Sequence, residues 1–135
     1  MLFRSMNRRS TPEADAQRAI VQALRVALPR DAIVHHAANE IAANDRRGQI
    51  RQSILVGMGV HAGFADLIVI SGGRVLFLEV KSPSGRLRKS QEVFRDTVCA
   101  QGFGWALVRG LDDALGALAD HGFTSRVRPA RRAAS

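Results

Sequence analysis

The stretch Gly63–Ser82, GFADLIVISGGRVLFLEVKS, decides how the whole chain reads. Two apolar runs, Leu67 to Ile70 and Val75 to Leu78, flank a Gly-Gly pair. They read as a β-hairpin, with Gly72 and Gly73 free to take the positive φ of a two-residue primed turn. That turn fixes the register. Ser71 faces Arg74, Ile70 faces Val75, Ile68 faces Phe77, and just beyond the apolar runs Asp66 faces Glu79. Opposed residues on one sheet face have Cβ atoms about 5 Å apart, where like charges repel. Desolvation beside the apolar runs worsens that repulsion. A divalent cation relieves it, and Mg²⁺ is commonly held by one or two carboxylates with water and substrate phosphate. Alternation along the strand points Lys81 the same way as Glu79. An ammonium there can orient or deprotonate a bound water, or stabilise charge developing on a phosphate. The plainer alternative makes these ordinary hairpin-end charges, with Lys81 neutralising Glu79. A slip of one residue would send Asp66 and Glu79 to opposite faces.

The chain around this hairpin has 135 residues, the size of one domain. Such a length can bury a core without disulfides. Cys99 is the single cysteine, which excludes an intramolecular disulfide and a Cys-cluster zinc site. No apolar stretch is long enough to span a bilayer. The first ten residues, MLFRSMNRRS, lack the apolar segment of a secretory signal. A cytoplasmic location is therefore expected, with no membrane partner. The formal net charge is +8, and all but two of the 20 Lys and Arg residues are arginine. A polyanionic partner follows, nucleic acid first, although arginine and alanine richness also reflects GC-rich coding. With six Phe, one Trp and no Tyr, a base-stacking single-strand platform is disfavoured.

Residues 1–10 read as a flexible basic arm, 11–122 as one domain, and 123–135 as a disordered basic tail. A first helix starts at a Ser10 or Thr11 cap, with Pro12 at its first position and Glu13 and Asp15 in its first turn. Its apolar residues recur at helical spacing as far as Leu28, and Pro29 ends it. Ile33 and Val34 form a short strand. The polar, Gly-rich insert over 39–62 holds a short helix around Ile50 to Leu55, and a connection this long in a small domain is usually functional. After the hairpin, Ser82 to Arg86 is a loop and a helix spans about Arg88 to Gln101, with Leu87, Phe94 and Val98 on one face. Trp105 to Val108 is a buried strand. Leu111 to Ala119 is a last helix, with Leu111, Leu115 and Leu118 inward. The order α-β-β-β-α-β-α, with the insert after the first strand, predicts an α/β fold: a mixed sheet flanked by helices.

The spacing from Asp66 to Glu79-Val80-Lys81 resembles the PD-(D/E)XK nuclease superfamily, a restriction-endonuclease-like core. More closely, the chain resembles a stand-alone VRR-NUC (virus-type replication-repair nuclease) domain. Four pieces carry the resemblance: PEADAQRAIVQAL from Pro12, GMGVHAGFAD ending at Asp66, FLEVKSPSGRLRKSQ ending at Gln91, and WALVRGLDDALGAL from Trp105. Ala65 stands where that family usually has proline. The resemblance implies roles residue by residue. Asp66, Glu79 and the Val80 carbonyl would hold Mg²⁺ or Mn²⁺, with Glu13 reaching the metal through water. Lys81 would assist the attacking water, and Gln91 would support the site. It further implies a metal-dependent deoxyribonuclease acting on branched DNA, most like a homodimeric Holliday-junction resolvase, in a bacterial or phage-infected cell. The alternatives are a flap nuclease and a basic DNA-binding module without chemistry.

Two of these residues also stand out on their own. Gln91 falls on the inward face of its helix with Leu87 and Phe94, where a polar group needs a partner. Glu13 shares the inward face of the first helix, but Ser10-X-X-Glu13 equally matches a capping box. Arg86, Arg88 and Lys89 follow the Glu79/Lys81 strand and are candidate phosphate contacts, as are Arg46, Arg47 and Arg51 in the insert. Of His35 and His36 on the first strand, one is expected to face the core; His61 precedes Asp66. Cys99 reads as a small core residue.

Overall fold

The computed structural model describes residues 11–37 and 45–126; the expected basic arm and most of the expected tail lie outside them. Helix α1 spans Pro12–Ala27, capped by Thr11, whose hydroxyl accepts from the Ala14 N–H at 3.1 Å. This cap puts Glu13 at the second helical position, not the third that a capping box requires. Helix α1 ends because Leu28 precedes a proline and takes extended backbone (φ −85°, ψ 158°).

Four strands, β1 (Ile33–His36), β2 (Leu67–Ser71), β3 (Arg74–Val80) and β4 (Gly104–Val108), form one sheet in the order β1-β2-β3-β4. The β2–β3 hairpin has the predicted register, Ser71 opposite Arg74 and Ile68 opposite Phe77, and Gly72 and Gly73 have φ of 58° and 75°. β1 pairs antiparallel with β2; β4 pairs parallel with β3. That parallel pairing requires a crossover, supplied by α3 (Lys89–Ala100). Helices α2 (Arg46–Gly57) and α4 (Leu111–Asp120) complete the order. The insert therefore holds a full helix where a short one is expected. It starts four residues early because Asp45 caps it, accepting from the Gly48 N–H at 2.6 Å.

Alternation along the strands divides the sheet between two cores. Leu67, Val69, Leu76, Leu78 and Val80 pack against Ile20 and Leu24 of α1 and Ala114, Ala117 and Leu118 of α4. The other face presents Phe77 and Trp105 to Ala65, Phe94 and Val98, so α3 covers it. No described helix is long and apolar enough to cross a membrane.

Several sequence expectations need correction. Leu111 is 43 % exposed, because it is the first residue of α4 and Ala114, Ala117 and Leu118 take the inward positions. Both His35 and His36 are exposed, since β1 is an edge strand with one neighbour. Cys99 is exposed because its neighbour Val98 takes the inward position. The fold also runs past 122. Phe123 is buried in the main core. The Arg126 N–H donates to the Ala27 carbonyl at 2.6 Å, and its Nη2 to that of Leu28 at 2.7 Å. A cation thus caps the carbonyl end of α1.

Candidate active site

Where β2 and β3 end, three ionisable residues are buried together: Asp66 at 2 % exposure, Glu79 at 0 % and Lys81 at 5 %. The ladder itself stops at Leu67–Leu78. Beyond it, Asp66 turns so that its Oδ2 accepts the Val80 N–H at 2.7 Å, while its own carbonyl accepts the Ala37 N–H. The carboxylate is thereby tied to the backbone of the strand carrying Glu79. Lys81 follows two residues later on the same face, with Nζ 3.8 Å from Glu79 Oε1. Its N–H donates to the Val108 carbonyl, so β4 keeps the strand extended through the site.

Gln91 joins the site to α3. Its Oε1 accepts the Arg88 N–H at 2.8 Å, capping the helix, and its Nε2 donates to Glu79 Oε1 at 2.9 Å. One amide thus satisfies a helix end and holds a buried carboxylate. Gln91→Leu keeps the bulk and removes both bonds; it is expected to cost about 2–3 kcal/mol. Thermal unfolding measures this, and a loss below about 0.5 kcal/mol would mean that Gln91 does not hold Glu79.

Charge counting shows what this cluster can accept. Two carboxylates and one ammonium are buried together in a place where charge is costly, and a cation is the kind of group such a cluster can take. The donors are all oxygen, which suits Mg²⁺ or Mn²⁺ and not a soft metal. Among the described residues, no group of three or more His, Cys, Asp or Glu gathers as a metal cage. A cation here would have Asp66 and Glu79 as its protein carboxylates, in keeping with ions that retain several waters.

Glu13 is not brought into this cluster. It lines a separate cleft of about 590 Å³ with Gln17, Arg18, His36 and Ser82. Ser82 directly follows Lys81, so the cleft borders the site without opening onto Asp66. A smaller cavity of about 60 Å³, enough for about two waters, is edged by Asp66, Gln91, Arg88, His61 and Gln52. Here α2 and the start of α3 face each other. Arg88 is exposed at the edge of this cavity; Arg86 and Lys89 beside it in sequence are exposed, and so are Arg46, Arg47 and Arg51 on α2.

Two features escape a reading of sequence alone. Arg109 Nη1 donates to the carbonyls of Ser82 (2.5 Å), Gly85 (2.8 Å) and Pro83 (3.2 Å), clamping the loop that leaves Lys81. It lies just past β4, beside Lys81, which only the parallel register reveals. Gly63, with φ 75°, presses its backbone onto α3, and a Cβ there would lie 2.1 Å from the Ser90 carbonyl oxygen.

Comparison with known proteins now bears on this arrangement. No family model matches the chain, nor does any curated protein. Among solved structures, a chain titled "VRR_NUC domain protein" superposes with a TM-score of 0.61 at 17 % identity, covering 84 % of this chain and 90 % of that one. The chain has that VRR_NUC fold. The mixed sheet flanked by helices, expected from the hairpin outward, is this architecture. Within it, Ala65 is fully buried beside Phe94 and Val98, packing where the resemblance expects proline.

Proposed function

We propose that the chain is a VRR-NUC nuclease: a Mg²⁺- or Mn²⁺-dependent deoxyribonuclease that hydrolyses phosphodiester bonds in branched DNA. The observation that carries this reading is the buried Asp66/Glu79/Lys81 cluster, braced by Gln91. Charge burial on this scale is costly unless it serves a purpose. The VRR_NUC fold of the solved neighbour supports the same reading. The cation would be held by Asp66, Glu79 and the Val80 carbonyl, and when bound would supply Lewis-acid stabilisation of the phosphate and a more acidic water. The chain's own residues prepare that chemistry. The Val80 N–H orients Asp66, Gln91 orients Glu79, and Lys81 offers a positive charge beside Glu79, where charge grows on the reacting phosphate. Glu13, in its neighbouring cleft, would reach the cation through water. Arg86, Arg88 and Lys89 on one side and Arg46, Arg47 and Arg51 on the other would hold the sugar-phosphate backbone.

The finer reading is a homodimeric Holliday-junction resolvase of a bacterial or phage-infected cytoplasm. Arginines that grip the sugar-phosphate backbone suit recognition of DNA shape, and two symmetric sites would cut two strands. The test is a cleavage panel: labelled four-way junction, 5′-flap, duplex and single strand, each with Mg²⁺, Mn²⁺ or EDTA. Paired nicks confined to the junction and lost in EDTA are expected. Cutting of flaps alone would keep the nuclease and remove the resolvase. Metal-independent binding without any cutting would favour a DNA-binding module.

A further inference from the structure

Helix α2 is unusual in this fold because its exposed face is both cationic and apolar. Ile50 is 52 % exposed, Ile54 56 % and Met58, its C-cap, 77 %. These residues follow one another at intervals of four, so they form one stripe along the helix. Arg47 and Arg51 are exposed on the same side, at helical spacing from Ile50 and Ile54. The helix RRGQIRQSILVG contains no carboxylate, and Asp45 before it is used as the cap. The opposite face is the one turned inward: Gly48 is buried, and Gln52 and Leu55 line the cavity that Asp66 edges. One helix, α2, thus separates the cavity that Asp66 edges from the stripe on its outer face.

We propose that this stripe receives DNA opened beside the cleaved phosphate, with Ile54 and Met58 packed against the faces of unpaired bases while Arg47 and Arg51 hold the flanking phosphates; this rests on the nuclease reading above. Opened DNA is the partner that offers both chemistries side by side. Phosphates complement the arginines, and unstacked bases present apolar faces into which Ile and Met commonly wedge. A fully paired duplex offers the phosphates but keeps the base faces stacked and out of reach. A second copy related by two-fold symmetry would bring one cationic stripe against another, with no carboxylate on either to relieve it. An anionic lipid surface would also match the stripe's chemistry, and the vesicle measurement below separates it from DNA.

The test is equilibrium binding of the full chain in EDTA, so that binding is read without cutting. The probes are a labelled duplex and the same duplex with a central unpaired segment carrying 2-aminopurine. Ile54→Ala/Met58→Ala is expected to weaken the opened probe about tenfold, the scale of an apolar contact of this size, and the paired duplex by less than about twofold. The 2-aminopurine signal that wild type changes on binding should return toward that of the free probe. Arg47→Ala/Arg51→Ala is expected to weaken both probes alike and to flatten the salt dependence by about two units of slope. Both pairs are exposed, and matching thermal melts establish that the variants fold. Equal loss on the two probes, or no loss, overturns the proposal. So does a fall in oligomeric state on sedimentation of Ile54→Ala/Met58→Ala, which would give the stripe to a second copy, or binding to anionic vesicles that the same variant abolishes. Adding Mg²⁺ separates the two readings. If wild type cuts neither probe nor a four-way junction yet the binding contrast persists, the nuclease reading fails and the α2 assignment stands. If it cuts and the contrast is absent, the reverse holds.

Discussion

Asp66→Asn is expected to slow phosphodiester cleavage by at least about 10³-fold, equivalent to about 4 kcal/mol of lost transition-state stabilisation, without unfolding the protein. The asymmetry follows from what the carboxylate does. Structurally it accepts the Val80 N–H, a bond that an amide oxygen also accepts. Its chemical contribution is a negative charge beside Glu79, which an amide lacks. Removing that charge in a site with two carboxylates and one ammonium also relieves repulsion. The melting temperature without divalent cation should therefore equal or exceed that of wild type. Mn²⁺ at about 100 times its Kd should stabilise wild type by about 2.7 kcal/mol, and Asp66→Asn by far less. An Asp66→Asn variant that is cation-stabilised and active to the same degree would show that this carboxylate does not hold the ion.

Gly63→Ala is expected to cost about 2–5 kcal/mol, combining about 1–2 kcal/mol for a side chain in the left-handed region with about 1–3 kcal/mol for overpacking. The added methyl would lie 2.1 Å from the Ser90 carbonyl oxygen, so either the loop or the start of α3 must move. Gln91 is the next residue, and it holds Glu79, so a shift of α3 loosens the site as well as the fold. Activity and stability should fall together, with the melting temperature lower by about 8–20 °C at roughly 4 °C per kcal/mol. Gly59→Ala is the matched control. Its φ is 107° with nothing within 4 Å of the added methyl, so only the backbone term applies. Equal losses in the two variants would show that the close approach at Gly63 contributes nothing.

Much of the site was legible because it rests on a short-range element. The Gly-Gly turn fixes the hairpin register as far as Leu67–Leu78 with no long-range information, which leaves Asp66 beside the end of the strand that carries Glu79 and Lys81; that Asp66 then quits the expected pairing with Glu79 to accept the Val80 N–H was not legible. Gln91 was legible by a second local rule, helical phase, although its double use as cap and carboxylate partner was not. What stayed hidden depends on pairings distant in sequence. Arg109 reaches the 82–85 loop only because β4 runs parallel to β3. Arg126 reaches α1 across the whole chain, which composition alone assigned to a tail. Glu13 shows the limit of helical phase as a guide. Its helical phase is inward at the sequence level, but inward there means a cleft shared with His36 and Ser82 and not the carboxylate pair. The extent of α2 was missed because its apolar stripe is exposed, so periodicity gave no sign of which face the protein covers.

The most direct test of the account is the rate at which purified protein cleaves a labelled four-way junction in Mg²⁺, compared with the same protein in EDTA and with Lys81→Ala in Mg²⁺. Lys81 is buried, so a melt of the variant accompanies the rate. The account predicts metal-dependent cleavage by wild type and a rate lower by about 10²–10³-fold or more for folded Lys81→Ala. Cleavage that persists unchanged in EDTA, or that a folded Lys81→Ala retains in full, would contradict it.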